Sequence, residues 1–190
     1  MKKLTLLLAI MVAISAHAQQ YCPEYDFETM LVGSGASVMI LGYLGSNLAV
    51  RIPPRIQGLP VTHIGEEAFA DLHLTSITLP DSVIFIGDEA FAGNHLTSFT
   101  IPRGVTRIAR WTFAENLLTS ITIPYGVIFI EEEAFLYNQL ISVVIPGSVV
   151  YIGSGAFIEN QLSSVTVPGH IDLWGDEFDP DVTVTSVLIH

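Results

Sequence analysis

Lysine is nearly absent from this chain, because Lys2 and Lys3 are its only lysines and arginine adds just five cations. The 19 acidic residues therefore leave a formal net charge of −12. So little positive charge excludes a surface for the phosphates of nucleic acid or anionic lipid. Cysteine is equally scarce, since Cys22 has no second thiol with which to form an internal disulfide. A free or intermolecular thiol is what remains for Cys22.

Long apolar runs are confined to the first twenty residues. Lys2 and Lys3 precede an apolar stretch over residues 4–16, and Ala16-His17-Ala18 has the A-x-A form of a cleavage site. This pattern predicts a signal peptide over residues 1–18. No later run has the roughly 18 apolar residues of a transmembrane helix, so no membrane span is expected. We expect an exported protein that is secreted, periplasmic or held at the cell surface.

A 22-residue repeat organises the rest of the chain. LTSITLPDSVIFIGDEAFAGNH begins at Leu74, three further copies follow it, and partial copies begin at Val61 and Leu162. Apolar residues alternate with Ser and Thr at the start of each copy, which is typical of a half-buried strand, and a proline ends the strand. One copy cannot bury its own apolar side chains, so neighbouring copies must stack. The repeat predicts a mainly β solenoid of 22-residue coils with a parallel sheet.

An asparagine recurs at the bend before each new strand. A side-chain amide at a bend can bond exposed turn backbone in its own coil and in the next coil. We interpret the column as a structural ladder and not as a ligand site. Its members are Asn94, Asn116, Asn138 and Asn160.

The repeat resembles the BspA-like family of leucine-rich repeat proteins, which are secreted or surface proteins of bacteria and some protists. The motifs that carry the resemblance are LTSITLP at 74–80 and VxxIGxxAF at 61–69 and 83–91, and with their later copies they cover 61–168. The segment 26–60 resembles the family's amino-terminal cap, with a hairpin turning at Gly33-Ser34-Gly35. The resemblance implies adhesion or protein recognition without chemistry.

The chain departs from the family pattern in three respects. Asparagine stands where many relatives have cysteine, no long carboxy-terminal anchoring module is expected, and several positions that are normally polar are apolar. We divide the chain into a signal peptide (1–18), an N-terminal β cap (19–57), a leucine-rich repeat solenoid (58–168) and an acidic C-terminal cap or tail (169–190).

Candidate chemistry is sparse along the repeat. The outer positions of the strands carry Ser and Thr without a histidine or carboxylate that could activate them, so we predict no catalytic residue and no cofactor. His73 and His95 lie one period apart, but two ligands fall short of the three or four of a zinc site. Solenoid enzymes and ice binding by the Ser-x-Thr array remain remote alternatives.

The acidic residues of the tail surround Trp174. Calcium takes oxygen ligands from loops, but acidic runs usually stay in water, so a solvated cap is favoured and calcium binding is left open. The acidic residues are Asp172, Asp176, Glu177, Asp179 and Asp181.

Partner recognition is expected at positions that vary between copies. After each proline the chain returns to the core at a Val and, three residues later, an Ile, such as Val83 and Ile86. The positions between this returning Val and Ile form an apolar stripe interrupted by Arg107, and we predict a docking or self-association surface there. The alternatives are that the tail folds back over the stripe, or that the protein is a structural component of an envelope assembly. We expect a protein or glycan partner at a cell surface or in a matrix. The candidate partner surface comprises Phe85, Arg107, Phe129, Tyr151, Arg103, Tyr125 and Tyr137.

Overall fold

Fourteen short strands wind around one apolar core, and the computed structural model describes them over residues 21–187. The predicted signal peptide lies outside the described residues. The strands are β1 (Phe27–Val32), β2 (Ser37–Tyr43), β3 (Ala49–Arg51), β4 (Arg55–Ile56), β5 (Leu59–Ile64), β6 (Ser76–Thr78), β7 (Phe85–Ile86), β8 (Arg107–Ile108), β9 (Ile121–Thr122), β10 (Phe129–Ile130), β11 (Val143–Val144), β12 (Tyr151–Ile152), β13 (Ser164–Pro168) and β14 (Thr183–Val187), with one 3-10 turn at Glu24–Asp26.

Parallel pairing between successive coils produces two faces. On the Ser/Thr face, β3 pairs with β6, and β9, β11, β13 and β14 pair in that order. On the return face, which follows the prolines, β5 pairs with β7, and β8, β10 and β12 pair in that order. The predicted parallel β solenoid is therefore confirmed.

The core consists of the apolar columns of the repeat, stacked coil on coil. Phe113 illustrates the packing, because its ring stacks between those of Phe91 and Phe135 at centroid distances of 5.7 and 5.4 Å. Such separations lie within the range of favourable aromatic pairs. The stack continues in both directions, from Phe69 to Phe178.

The amino-terminal segment closes the first coil as a β-hairpin. Strands β1 and β2 pair antiparallel, and β2 then pairs in parallel with β5. Phe27 and Tyr43 pack against Phe69, which extends the aromatic stack into the hairpin. Burial, reinforced by the neighbouring Cys22, raises the pKa of Tyr43 to about 12. A hairpin so placed covers the edge that the first coil would otherwise expose.

Cys22 belongs to this cap and is only 8% exposed. Its backbone N–H donates to the carbonyl oxygen of Arg51, and the N–H of Arg51 points back to the Cys22 sulfur at 3.4 Å. A thiol buried in this way is not presented to another chain. Of the two alternatives for Cys22, a free or an intermolecular thiol, the fold therefore favours the free thiol.

The carboxy-terminal segment continues the solenoid instead of folding back over it. Phe178 stacks on Phe157 with the ring planes 4° apart, and β14 pairs in parallel with β13 on the Ser/Thr face. The alternative in which the tail covers the apolar stripe is wrong for residues 183–187, because they lie on the opposite face. The segment expected as an acidic cap thus supplies one more coil before β14.

The asparagines lie where the ladder was expected, but they connect to a different neighbour. The Oδ1 of Asn94 accepts from the N–H of Leu74, and its Nδ2 donates to the carbonyl oxygens of Phe69 and Phe91. Each amide therefore joins its own coil to the preceding coil, and not to the next one. The same contacts recur at Asn116, Asn138 and Asn160.

Candidate recognition surfaces

Apolar side chains emerge from three coils of the return face, whereas Thr62-His63 and Thr106-Arg107 occupy the corresponding positions of two others. The exposed fraction is 53% for Ile84, 40% for Phe85 and 42% for Phe129. Both members of each pair between the returning Val and Ile are therefore at least partly exposed, since the core is already filled by Val83 and Ile86. We call this surface the apolar stripe; it comprises Ile84, Phe85, Ile128, Phe129, Val150 and Tyr151.

Arg107 interrupts the apolar stripe but does not offer a free charge. It lies in register with Phe129 of β10, and its Nε and one terminal nitrogen each lie 2.6 Å from the Glu131 carboxylate. Asp88 lies at 4.0 Å on its other side. The hydrogen bond to Glu131 raises the pKa of Arg107 further above its ordinary value. The positive charge is thus largely matched within the protein.

A line of carboxylates runs beside the apolar stripe. On each contributing coil the carboxylates follow the strand of the return face: Asp88 is two residues after the end of β7, and Glu131 directly follows β10. The Tyr151 hydroxyl donates to Glu132, and burial together with that carboxylate raises the pKa of Tyr151. Burial and the neighbouring Glu67 likewise raise the pKa of Glu89. We call this line the acidic ridge; it comprises Glu66, Glu67, Asp88, Glu89, Glu131, Glu132 and Glu133.

A groove lies elsewhere, along the turns that follow the strands of the Ser/Thr face. Arg103 and Tyr125 line it together with Asp81 and the threonines of neighbouring strand ends. A second depression, lined by Tyr21 and Arg51, adjoins it at Asp81, which lines both. Tyr21 and Arg51 could not be recognised as site residues in the sequence because they precede the repeat. We call the whole feature the arginine groove.

The candidate partner residues therefore fall on separate surfaces. Phe85, Arg107, Phe129 and Tyr151 lie together on the return face, whereas Arg103 and Tyr125 share the arginine groove. Tyr137 belongs to neither surface and is exposed at a bend with a φ of 52°, in the left-handed region.

The sequence raised a zinc site at the two histidines and a calcium site in the acidic tail. Within residues 21–187, no group of three or more His, Cys, Asp or Glu side chains is arranged to hold a metal ion. The rings of His73 and His95 stack at 5.2 Å. In the acidic tail, Asp179 accepts from the N–H groups of Glu159 and Asn160. Glu177 accepts from two backbone N–H groups of its own turn, so these carboxylates already have protein donors.

The same described region contains no helix that is long and apolar enough to cross a bilayer.

Comparison with known proteins places this geometry among leucine-rich repeats. The family profile described as "BspA type Leucine rich repeat region" matches residues 62–178 in six copies. The solved leucine rich repeat protein TpLRR of T. pallidum is 27% identical with a TM-score of 0.69, over 86% of this chain and 80% of that chain.

Two further solved structures are more distant. A leucine rich cell surface protein from Faecalibacterium prausnitzii is 25% identical with a TM-score of 0.45, over 74% of this chain and 52% of that chain. A leucine-rich repeat protein from Bacteroides ovatus is 20% identical with a TM-score of 0.47, over 85% and 66%. No curated protein matches the chain.

Proposed function

The chain belongs to the BspA-type leucine-rich repeat family, and we propose that it is an exported, adhesin-like protein that recognises another protein through the apolar stripe. It acts without catalysis, at the cell surface or after secretion. The single observation that carries this proposal is the exposure of Phe85 and Phe129 on a face that β14 does not cover. Soluble monomers rarely expose contiguous apolar patches of more than a few hundred Å², and such patches mark interaction sites.

The acidic ridge specifies the chemistry of the partner. Seven carboxylates border the apolar stripe, whereas Arg107 and Arg110 are the nearby cations and both are ion-paired. A complementary partner therefore presents an apolar centre with a basic rim. Apolar contacts supply the affinity, while the charges orient the encounter and accelerate association.

Self-association through the same face is the competing arrangement, and it would suit a structural component of an envelope assembly. A second copy carries a second acidic ridge and the same excess of negative charge, since the full chain has 19 acidic residues against seven Lys and Arg. Bringing two such surfaces together costs electrostatic free energy, particularly at low salt. The charge distribution thus favours a different protein as the partner.

Removing the two phenylalanines of the apolar stripe is expected to abolish partner capture. Phe85→Ser with Phe129→Ser deletes two aromatic anchors, and loss of such anchors weakens binding more than about tenfold. The matched control is Tyr25→Ser with Leu44→Ser, which removes two exposed apolar side chains from the N-terminal cap. Pull-downs from envelope and matrix protein mixtures, read by mass spectrometry, compare the three proteins.

The same three proteins are also measured by light scattering. We expect each to be monomeric, with one basic protein captured by the parent and by the control but lost from the double variant. Equal capture by all three proteins contradicts the role of the apolar stripe. A parental dimer that the double variant dissociates replaces the proposal with self-association.

Export is tested by the mass of the mature protein. We expect intact-mass analysis of material from the extracellular or periplasmic fraction to show loss of residues 1–18, because A-x-A at Ala16-His17-Ala18 is a cleavage signal. Retention of Met1 on protein from that fraction contradicts the predicted processing.

A further inference from the structure

The arginine groove concentrates unmatched positive charge in a protein that has very little of it. Within the described residues, Arg107 and Arg110 form ion pairs, whereas Arg51, Arg55 and Arg103 have no carboxylate within 4.0 Å, and Arg55 donates to the carbonyl oxygen of Gly58. Arg103 lines the first depression of the arginine groove and Arg51 the second, and the two depressions meet at Asp81. A guanidinium without an internal partner keeps its planar set of donors available for a carboxylate, which it binds in a bidentate manner.

The arginines are spaced by the coils of the solenoid. Arg51 pairs in register with Thr78 of the following coil, which also carries Asp81, and Arg103 lies one period beyond Asp81. Two coil spacings, or about 10 Å, therefore separate the arginines along the stacking direction. Arg103 is displaced by a further three residues along its coil from the position in register with Arg51. Asp81 lies on the coil between them. The groove thus presents positive, negative and positive positions in that order.

This order of charges selects among anionic ligands. A polymer with a carboxylate on every unit would bring one carboxylate against Asp81, and like charges at that distance repel. A polymer that alternates charged and neutral units pairs both arginines and places a neutral unit at Asp81. Hydroxyl groups on that neutral unit can donate hydrogen bonds to the Asp81 carboxylate.

The remaining lining favours a sugar over a peptide. Tyr125, 78% exposed, offers a ring face at one end, and Tyr21 lies at the other end with the Arg51 guanidinium 4.9 Å from its ring centroid. Aromatic faces and hydroxyl side chains such as Thr100 and Thr122 suit the apolar faces and hydroxyl edges of sugar rings. An extended peptide would instead need a ladder of backbone donors. Proline removes that donor in this groove at Pro80, Pro102 and Pro124.

We propose that the arginine groove is a binding site for an acidic glycan in which carboxylated and neutral sugar rings alternate. Arg51 and Arg103 pair with carboxylates of two acidic rings, Asp81 accepts from hydroxyls of the neutral ring between them, and Tyr125 stacks on a ring at one end. The site lies apart from the apolar stripe, so its occupancy does not depend on the protein partner proposed above.

The proposal is tested by calorimetric titration with oligosaccharides of equal length. The alternating probe is a hyaluronan decasaccharide, the uniformly acidic probe is an oligogalacturonate, and the neutral probe is a malto-oligosaccharide. We expect saturable binding of the alternating probe that weakens as salt is added, weaker binding of the uniformly acidic probe, and no binding of the neutral one. Poly-glutamate is included, because tighter binding of this acidic peptide overturns the assignment to a glycan.

Substitutions locate the site. We expect Arg103→Gln to lower the affinity for the alternating probe about tenfold or more, since a charge-assisted hydrogen bond is lost. Arg110→Gln is the matched control, because it makes the same change of charge at an exposed arginine on the acidic ridge side. Equal affinities of the two variants, with circular dichroism unchanged in both, overturn the proposal.

Asp81→Asn gives an independent result of opposite sign. Removing the negative charge between the arginines is expected to raise the affinity for the uniformly acidic probe severalfold. The preference for the alternating probe should therefore become smaller. An unchanged preference overturns the role of Asp81 in selecting the alternating glycan. If Tyr125→Ala binds both acidic probes as tightly as the parent does, Tyr125 does not stack on a sugar ring and that contact is removed from the proposal.

Discussion

Phe113→Ala is expected to lower the free energy of unfolding by about 3 to 5 kcal/mol, the range for deleting a fully buried aromatic side chain. The Phe113 ring is 1% exposed and stacks between two others of the same column. Phe99 adds an edge-to-face contact at 4.6 Å from the strand side. The cavity therefore opens in the middle of the array, where coils on both sides lose their packing partner. Urea denaturation measures the loss.

The matched comparison for Phe113 is Ser120→Ala, on the outer side of the same region. Ser120 is exposed, so its substitution is expected to change stability by less than about 0.5 kcal/mol. Phe113→Leu, which keeps an apolar side chain, should lie between the two. Similar destabilisation by Phe113→Ala and Ser120→Ala would show that the inward and outward columns are assigned wrongly.

Asn116→Ala is expected to lower the free energy of unfolding by about 1 to 3 kcal/mol, because it leaves a buried donor without an acceptor. The Oδ1 of Asn116 is the acceptor for the N–H of Leu96, a residue that is 0% exposed. The carbonyl oxygens that lose the amide keep other donors, since Asn94 also donates to that of Phe91 and Asn138 to that of Phe113. The orphaned N–H of Leu96 is therefore the main cost.

Asn116→Asp separates the hydrogen bonds from the packing. The variant keeps the shape of the side chain but places a carboxylate among the three carbonyl oxygens to which the amide donates. Burial and those oxygens raise its pKa in the folded state above the unfolded value of about 3.9. The folded state then binds the proton more tightly, so the stability of the variant relative to the parent falls as pH rises.

This pH dependence is measured by urea denaturation of Asn116→Asp and of the parent near pH 4 and near pH 7. We expect the difference in unfolding free energy between variant and parent to be larger near pH 7. Asn47→Ala, at an exposed asparagine of the N-terminal cap, serves as the control and should have little effect. A difference that does not change with pH would show that the carboxylate at position 116 is solvated and the ladder is not buried.

Both predictions concern residues that hold neighbouring coils together. Stability in a stacked array is a sum of intrinsic coil terms and nearest-neighbour interfaces, and Phe113 and Asn116 both contribute to the interfaces. This division frees the outward positions from packing. The apolar stripe, the acidic ridge and the arginine groove all occupy such positions, so recognition surfaces can differ between coils while the core columns do not.

Much of the fold follows from the repeat alone. Each 22-residue copy has alternating apolar residues, a proline and a phenylalanine at the same positions. This pattern determines which side chains point inward, because every coil buries the same apolar columns against its neighbours. The positions of Phe113, Asn116 and their equivalents could therefore be predicted. Exposure of at least one member of each pair between the returning Val and Ile also followed, since Val83 and Ile86 and their equivalents already occupied the core. The structure exposes both Ile84 and Phe85, and both Ile128 and Phe129.

The sequence by itself determined the coil, its core columns and its outward positions, because these depend on local alternation and on stacking identical neighbours. Only the tertiary structure decided where the last strand lies and where Tyr21 and Arg51 come to rest. Residues 183–187 joined the open edge of β13 and not the apolar stripe, because an unpaired parallel edge satisfies a strand's backbone donors and acceptors and an apolar face does not. Tyr21 and Arg51 reached the groove of Arg103 for a related reason: β3 pairs with β6, and that long-range register carries no repeating signal.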